Sequence, residues 1–225
     1  MLTDRMEDYL KAIYTLQRED GPPVSTSAIA EYLDVTSPTV ASTVEKLAER
    51  GLVEREKYAG VEVTAEGERV ALEVLRHHRL LEAFLTEELD YDWTAVHDEA
   101  DRLEHHISEE FERRVAARLG DPDVDPHGDP IPDANLTPPV DDGVSLADAA
   151  AGDRVRIARV DDRDAEELRY LHEVGVVPGA VVEIVDVAPF GMVTVSIDGD
   201  EQSLPESVAA SVRVDPVEKT REVRS

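Results

Sequence analysis

The sequence predicts a mainly α-helical protein with a small all-β domain near its C-terminal end. Two observations predict this class. Apolar residues repeat with helical spacing through most of residues 1–119, and β-branched residues gather in short runs between glycines over 144–215. The 225 residues are enough for two or three small domains. We expect a winged helix-turn-helix domain at 1–64, a helical domain at 65–122, a Pro- and Asp-rich linker at 123–143, a small β-barrel domain at 144–216 and a flexible tail at 217–225.

The N-terminal elements are predicted from their apolar spacing and their capping residues. Apolar residues with helical periodicity over 9–16 predict a first helix, and Ser25 begins a second. Thr36 or Ser37 can cap a third helix, which ends at Gly51. Two short strands at 52–56 and 61–64, around the turn 57–60, predict a hairpin wing.

Helical periodicity continues beyond the wing. One helix is predicted from Gly67 to Glu88, either continuous or with a break, and another from about Thr94 to Ser108. A further helix carrying Phe111 has mixed apolar and polar faces, which suit contact with a second copy of the chain. We therefore expect a homodimer.

The composition restricts the chemistry and the environment. Without cysteine, the chain has no disulfide, no thiolate zinc site and no cysteine nucleophile. It has neither an apolar run long enough to span a membrane nor a recognisable secretory signal, so we expect a cytoplasmic protein. The net charge of −28, from 51 acidic and 23 basic residues in a chain patterned for folding, indicates adaptation to very high salt, where surface repulsion is screened.

One stretch of this acidic chain is electrically neutral. Residues 35–60 hold four acidic and four basic residues, and 36–44 hold no acidic residue at all. A helix that enters the major groove of DNA needs small or polar residues on its leading face. The alternative is that this helix-turn-helix only supports protein contacts. The candidate DNA-binding residues are Thr36, Ser37, Pro38, Thr39, Ser42, Lys46, Lys57 and Tyr58.

A second pattern combines imidazoles with carboxylates. On a helix, His97, Asp101, Glu104 and His105 would fall within an arc of roughly 100°. His78 and Glu82 are spaced i, i+4 on the preceding helix. Nitrogen and oxygen ligands without sulfur suit first-row divalent ions such as Mn²⁺ and Fe²⁺. The alternative is a network of salt bridges that binds no metal.

The motifs resemble those of the iron- and manganese-dependent repressors related to the diphtheria toxin repressor. The resemblance covers nearly the whole chain. Leu171, Gly175, Pro178-Gly179 and Val212 resemble the SH3-like domain that these repressors share with ferrous-transport accessory proteins. The other matching segments are 5–10, 37–40, 56–58, 78–82, 97–100, 104–105 and 128–132.

The resemblance implies two metal sites. The effector site would use Asp8, Asp101, Glu104 and His105. The ancillary site would use His78, Glu82 and His97, with Asp164 and Glu167 from the SH3-like domain. Asp8 and Asp101 stand where iron-responsive members carry Met and Cys, as in manganese-responsive members. Those members, however, carry Glu where this chain has Lys11, which argues against their binuclear pattern and leaves Mn²⁺ only slightly favoured over Fe²⁺.

The expected function is that of a regulator rather than an enzyme. A homodimer loaded with Mn²⁺ or Fe²⁺ would bind double-stranded operator DNA and repress metal-uptake genes, with Asp8 coupling the metal to the DNA-binding domain. Two alternatives remain at this point. One is a winged-helix regulator of an organic ligand, and the other is a metal-dependent hydrolase with Glu104 or Glu99 as its base.

Overall fold

A computed structural model describes residues 2–56, 59–140, 143–189 and 191–217. The chain divides into two compact units, the first from residues 1–81, 101–118 and 131–139 and the second from 82–100, 119–130 and 140–225. Among the described residues, no helix is both long enough and apolar enough to cross a bilayer.

The first unit begins with the predicted winged helix-turn-helix. Its elements are α1 (Asp4–Asp20), α2 (Thr26–Tyr32), α3 (Ser37–Glu49), β1 (Val53–Glu56) and β2 (Gly60–Val63), and the two strands pair antiparallel. The Ser25 hydroxyl caps α2 by accepting from the backbone N–H of Ala28 at 3.0 Å. Tyr9, Leu10 and Ile13 of α1 are buried in one core with Leu47 of α3. Lys57 and Tyr58 in the wing lie outside the described residues.

The long helical pattern after the wing forms one unbroken helix, α4 (Ala65–Leu89). Gly67 lies at its first turn, where a Cβ would overlap the carbonyl oxygen of Leu52. Two shorter helices follow, α5 (His97–Leu103) and α6 (Glu109–Leu119). The predicted extension of α5 to about Ser108 is wrong, because the helix ends at Leu103 and residues 104–106 form a turn.

The β-rich part of the second unit consists of β3 (Val144–Ser145), β4 (Arg154–Val160), α7 (Ala165–Glu173), β5 (Val181–Val187), β6 (Val193–Ile197), β7 (Asp200–Leu204), α8 (Glu206–Ala210) and β8 (Val212–Pro216). The six strands form an antiparallel sheet in the order β3-β8-β4-β5-β6-β7. Alternating burial along β4 places Val155, Ile157 and Val160 in its core, which confirms the small all-β domain. A short helix, α7, follows β4, and another, α8, precedes the last strand.

Part of the predicted linker is buried rather than solvated. His127 is 0% exposed, and the Asp125 carboxylate organises the turn around it by accepting from the N–H groups of His127 and Asp129. Gly128 has φ of +89°, and a Cβ there would overlap the carbonyl oxygen of Ala158. A segment that looks like a spacer in sequence therefore packs tightly against the second unit's own sheet.

Candidate metal centres and nucleic-acid interface

The first candidate centre joins α1 to the turn that follows α5. The His105 Nε2 atom lies 2.8 Å from Asp8 Oδ1 and 3.3 Å from Glu104 Oε1. The other ring nitrogen, Nδ1, lies 2.8 Å from Glu7 Oε2. Burial alone would lower the pKa of His105, but the hydrogen bonds to Asp8 and Glu7 outweigh it and raise that pKa to about 9. The structure thus brings together three of the four predicted effector ligands around one imidazole.

The fourth predicted effector ligand, Asp101, lies in an adjoining cluster around the same Glu104. His78 Nδ1 lies 2.6 Å from Glu104 Oε2 and 3.2 Å from Asp101 Oδ1. Lys11 donates to both oxygens of Glu104, at 2.7 and 2.9 Å, and to Asp101 Oδ1 at 3.0 Å. Burial would raise the pKa of Glu104, but His78 and Lys11 hold it below its usual value. His78, expected in the ancillary site, is thus engaged with effector-site carboxylates.

Neighbouring side chains support the backbone of Glu104. His77 Nδ1 donates to the Glu104 carbonyl oxygen at 3.1 Å, and His77 Nε2 lies 3.3 Å from Glu112 Oε2. Arg76 donates to Glu112 at 2.5 Å and to the carbonyl oxygen of Pro132 at 2.6 Å. This buried network fixes the turn that presents Glu104 and His105, so His77 has a role in holding the site without facing the ligand cluster.

The second candidate centre lies in the second unit. His97 Nδ1 lies 2.8 Å from Asp162 Oδ2 and 3.3 Å from Glu82 Oε1. His127 Nδ1 lies 3.5 Å from Asp162 Oδ2 and 3.7 Å from Glu82 Oε2. Glu82 and His127 are both 0% exposed. Four nitrogen and oxygen donors from four separate segments therefore converge on one small volume.

The orientation of His127 is set by its second ring nitrogen. Nε2 donates to the carbonyl oxygen of Trp93 at 2.7 Å, because a carbonyl can only accept. That leaves Nδ1 directed at Glu82 and Asp162, carrying either a proton or a metal ion. Burial would lower the pKa of His127, but the carboxylates of Glu82 and Asp162 outweigh it and raise that pKa to about 9. A backbone carbonyl that fixes the tautomer is the usual outer support of a metal-ligating histidine.

Two residues of this centre were missed in the sequence, and two predicted ones lie elsewhere. Asp164 caps α7 by accepting from the N–H groups of residues 166 and 167, and Glu167 accepts from the Ser211 hydroxyl. The carboxylate beside His97 is Asp162, two residues before the predicted one. His127 was passed over because it lies in a Pro-rich stretch without a helical or strand pattern.

The donor sets of both centres fit a first-row divalent cation. With metal–ligand bonds of about 2.1 Å, neighbouring donors around one ion lie about 3 Å apart. The separations of 2.8 and 3.3 Å in the first centre and 2.8 to 3.7 Å in the second match that spacing. Imidazole and carboxylate ligands without sulfur suit Mn²⁺ or Fe²⁺, while Zn²⁺ would also bind.

The candidate nucleic-acid interface is the exposed side of α3. Thr36, Ser37, Pro38, Ser42 and Lys46 are all exposed, as the prediction requires. The hydroxyl groups of Thr36 and Thr39 lie 2.9 Å apart. A cleft of about 560 Å³ runs between α3 and the start of α1. Three cationic side chains line its walls. Lys46 was predicted from the sequence, whereas Arg5 and Arg50 were not.

Three family models match consecutive parts of the chain. Residues 1–61 match the N-terminal DNA-binding domain of the iron-dependent repressors, 64–133 match their metal-binding and dimerisation domain, and 144–216 match the FeoA domain. The chain is also 36% identical to the iron-dependent repressor IdeR of Mycobacterium tuberculosis, over 96% of this chain and 99% of that protein. The chain belongs to the iron-dependent repressor family. A further relative, the diphtheria toxin repressor of Corynebacterium diphtheriae, is 34% identical over 95% of this chain and 98% of its own length.

Solved structures of repressors share the fold of this family member. A manganese-dependent transcriptional repressor in complex with manganese superposes with a TM-score of 0.88 at 38% identity, covering 94% of this chain and all of that one. The structure of ScaR with bound Cd²⁺ has a TM-score of 0.83 at 30% identity, covering 94% of this chain and 99% of that one. These comparisons confirm a family of DNA-binding, metal-dependent repressors and do not favour a hydrolase.

Proposed function

We propose that this protein represses transcription by binding Mn²⁺ or Fe²⁺ at the cluster of Asp8, Glu104 and His105 and then binding operator DNA as a homodimer. The observation that carries the proposal is the 2.8 Å approach of Asp8 on α1 to His105 in the turn after α5. Asp8 belongs to the DNA-binding domain, whereas Glu104 and His105 belong to the part matched by the metal-binding domain. One cluster therefore spans two functional regions of the first unit.

The helix α1 is the element that transmits the signal. It carries Asp8 at the cluster and Arg5, one turn earlier, in the wall of the cleft beside α3. Holding Asp8 in place therefore holds Arg5 against the surface that faces DNA. A bound divalent cation supplies the positive charge that holds the carboxylates of Asp8 and Glu104 together. Because that charge stabilises one position of α1 more than others, it shifts the population toward the DNA-binding form.

Glu7 orients the imidazole for this task. Its carboxylate accepts from His105 Nδ1 at 2.8 Å, so Nε2 is the ring atom that faces Asp8 and Glu104. A carboxylate behind a ligating histidine fixes the tautomer and strengthens the nitrogen as a donor. In the metal-free protein the same Nε2 carries the proton that binds Asp8, and a metal ion has to replace that proton.

We propose the second cluster as the ancillary site, with Glu82, His97, Asp162 and His127 as its ligands. Compared with the set expected from the sequence, this one has Asp162 and His127 instead of Asp164 and Glu167. It also leaves out His78, which contacts Asp101 and Glu104. Two of the donors, Asp162 and His127, fall outside regular helices and strands, so a bound ion would hold two loop positions in place. The site is expected to stabilise the second unit, because a ligand that binds only the folded state raises its stability.

The choice of metal follows from the ligands. Asp8 and the neighbouring Asp101 are oxygen donors, which favour Mn²⁺ slightly over the softer Fe²⁺. The family is named for iron, and the structurally similar repressor was solved with manganese. The proposal also includes a cytoplasmic location and target genes that serve metal uptake. It further includes adaptation of the protein to high salt.

The test is operator binding by an Asp8→Ala variant. Operator sequences are first selected from random DNA with the Mn²⁺-loaded wild type, and binding is then titrated anaerobically with Mn²⁺ and with Fe²⁺ in concentrated salt. We expect the Asp8→Ala substitution to reduce the metal-induced increase in operator affinity by at least about tenfold. This corresponds to a loss of about 1.4 kcal/mol in coupling free energy. The control is Asp20→Ala, an exposed carboxylate at the other end of α1. A wild-type metal response in Asp8→Ala would disprove the proposed coupling.

A further inference from the structure

Residues 131–139, which we call the strap, belong to the first unit, although the chain on both sides of them belongs to the second. They lie in the stretch predicted as a linker, and 134–139 fall between the parts matched by the dimerisation and FeoA family models. Ile131 is 8% exposed, and Pro132 is also buried. The strap is therefore a packed part of the first unit rather than a free spacer.

Two arginine side chains hold the ends of the strap. Arg76 of α4 is 7% exposed and donates to the carbonyl oxygen of Pro132 at 2.6 Å. Arg18, in the last turn of α1, donates to the carbonyl oxygen of Pro139 at 2.9 Å. Between these two anchors, Leu136 packs against the core that contains α1 and α3. The strap thus joins the C-terminal end of α1 to α4.

A turn inside the strap presents Leu136 to that core. Leu136 has φ of +58°, in the left-handed region that leucine rarely adopts. The Asp133 carboxylate holds the turn by accepting from the N–H groups of Asn135 and Thr137, each at 2.9 Å, and from the Thr137 hydroxyl at 3.0 Å. Such strain persists only where surrounding contacts offset it. A free spacer has no such requirement, so the strained leucine indicates a segment built to dock.

We propose that the strap positions α1 for DNA binding, with Arg18 and Leu136 as its positioning residues. This inference rests on the proposed function, in which α1 carries the metal signal from Asp8 to Arg5. Asp8 and Arg18 are ten residues apart, about 15 Å along the helix axis. A metal ion at Asp8 holds α1 at one point and leaves rotation about that point open. A second contact at the last turn fixes the direction of the helix, so the strap determines how firmly a bound ion sets the DNA surface.

The experiment measures operator affinity of the full-length protein by fluorescence anisotropy, with Mn²⁺ kept saturating so that a change in metal affinity has no effect. Arg18→Ala removes one anchor, and Leu136→Asn removes the apolar contact while keeping a residue type that tolerates positive φ. Since Arg18 is exposed and each variant loses a single contact, we expect each to weaken operator binding by about threefold or more.

Two controls match the Arg18→Ala variant. Arg18→Lys keeps a cationic donor at the same position, and Arg69→Ala removes the same charge from an exposed position on α4. Both should bind the operator like the wild type. The slope of log K against log salt should also stay at its wild-type value in Arg18→Ala, because the loss of a direct phosphate contact would lower it by about 0.9. Urea unfolding verifies that each variant is folded under the conditions of the assay.

Wild-type operator affinity in both Arg18→Ala and Leu136→Asn would overturn the inference. A salt slope lowered by about 0.9 in Arg18→Ala would overturn it as well, because Arg18 would then be a phosphate contact. If Leu136→Asn does not fold, the exposed Arg18→Ala alone decides the question. By contrast, operator binding by the wild type that does not respond to Mn²⁺ would refute the proposed function, and that result is obtained without any strap variant.

Discussion

Raising the pH is expected to strengthen metal binding, because protons and metal ions compete for the same imidazole nitrogens. The pKa of His105 is raised to about 9 by Asp8 and Glu7, and the pKa of His127 is raised to about 9 by Glu82 and Asp162. At pH 7 each ring is therefore doubly protonated in the metal-free protein and must release one proton to act as a ligand. This competition weakens binding at pH 7 by about 100-fold relative to a ring that has already lost the proton, and the factor changes by about tenfold per pH unit below pH 9.

The assay is calorimetric titration with Mn²⁺ at pH 7 in two buffers of different ionisation enthalpy, together with chelator competition from pH 6.5 to 8.5. We expect about one proton released for each ion bound, and an affinity that rises about tenfold per pH unit. His105→Gln and His127→Gln should each abolish metal binding, with its proton release, at one of the two centres. The substitution His106→Gln, at an exposed histidine, should change binding at neither centre. A pH-independent affinity, or release of less than about half a proton per ion, would refute the reasoning.

The same two histidines give the metal-free protein the opposite pH dependence. Their pKa values in the folded state lie above the usual value of 6.5. Their contribution to stability is therefore complete below about pH 6.5 and is lost as the pH rises through about 9. Mn²⁺ should remove this loss by taking the place of the protons, and urea unfolding with and without metal at several pH values measures both effects.

Two further changes test the DNA surface and the packing of the wing. Lys46→Ala is expected to weaken operator binding at every sequence and to lower the slope of log K against log salt by about 0.9, as measured by fluorescence anisotropy, whereas the exposed Arg169→Ala in the second unit leaves that slope unchanged. Gly67→Ala should destabilise the protein by about 1–3 kcal/mol in urea unfolding, since its Cβ would overlap the Leu52 carbonyl. If Gly67→Ala instead raised the free energy of unfolding, as replacing glycine by alanine does at an uncrowded helix position, the close contact with Leu52 would be contradicted. The control is Glu66→Ala, at the exposed neighbouring position.

Local patterns in the sequence were enough to predict the winged helix-turn-helix and the small β domain. Apolar spacing placed the helices, Ser25 marked the start of α2, and runs of β-branched residues between glycines, such as the one holding Val155 and Ile157, marked the strands. The exposed polar residues at the start of α3 were predicted for the same reason, because a helix with a buried stripe must present its other face to its surroundings.

Spacing along a single helix gave a misleading picture of the metal ligands. Because α5 ends at Leu103, the arc drawn through His97, Glu104 and His105 is not the face of one helix. His97 lies with Glu82 and Asp162, while His105 lies with Asp8. The residue types still suit a divalent cation, but periodicity carries no information once a helix has ended.

The amino-acid sequence by itself determined the winged helix-turn-helix elements, the β-rich C-terminal part, the electrically neutral stretch at 35–60 and the chemical nature of the candidate ligands, since each depends on residues that are near neighbours along the chain. Only the tertiary structure decided that Asp162 and His127 lie beside Glu82, whereas Asp164 and Glu167 are engaged elsewhere, and that Lys11 lies against Glu104. Those choices depend on how loops without periodic patterns fold and on contacts between residues 93 positions apart, such as Lys11 and Glu104. Donor atoms have to match within a fraction of an ångström, and that precision comes from the packing of the whole unit.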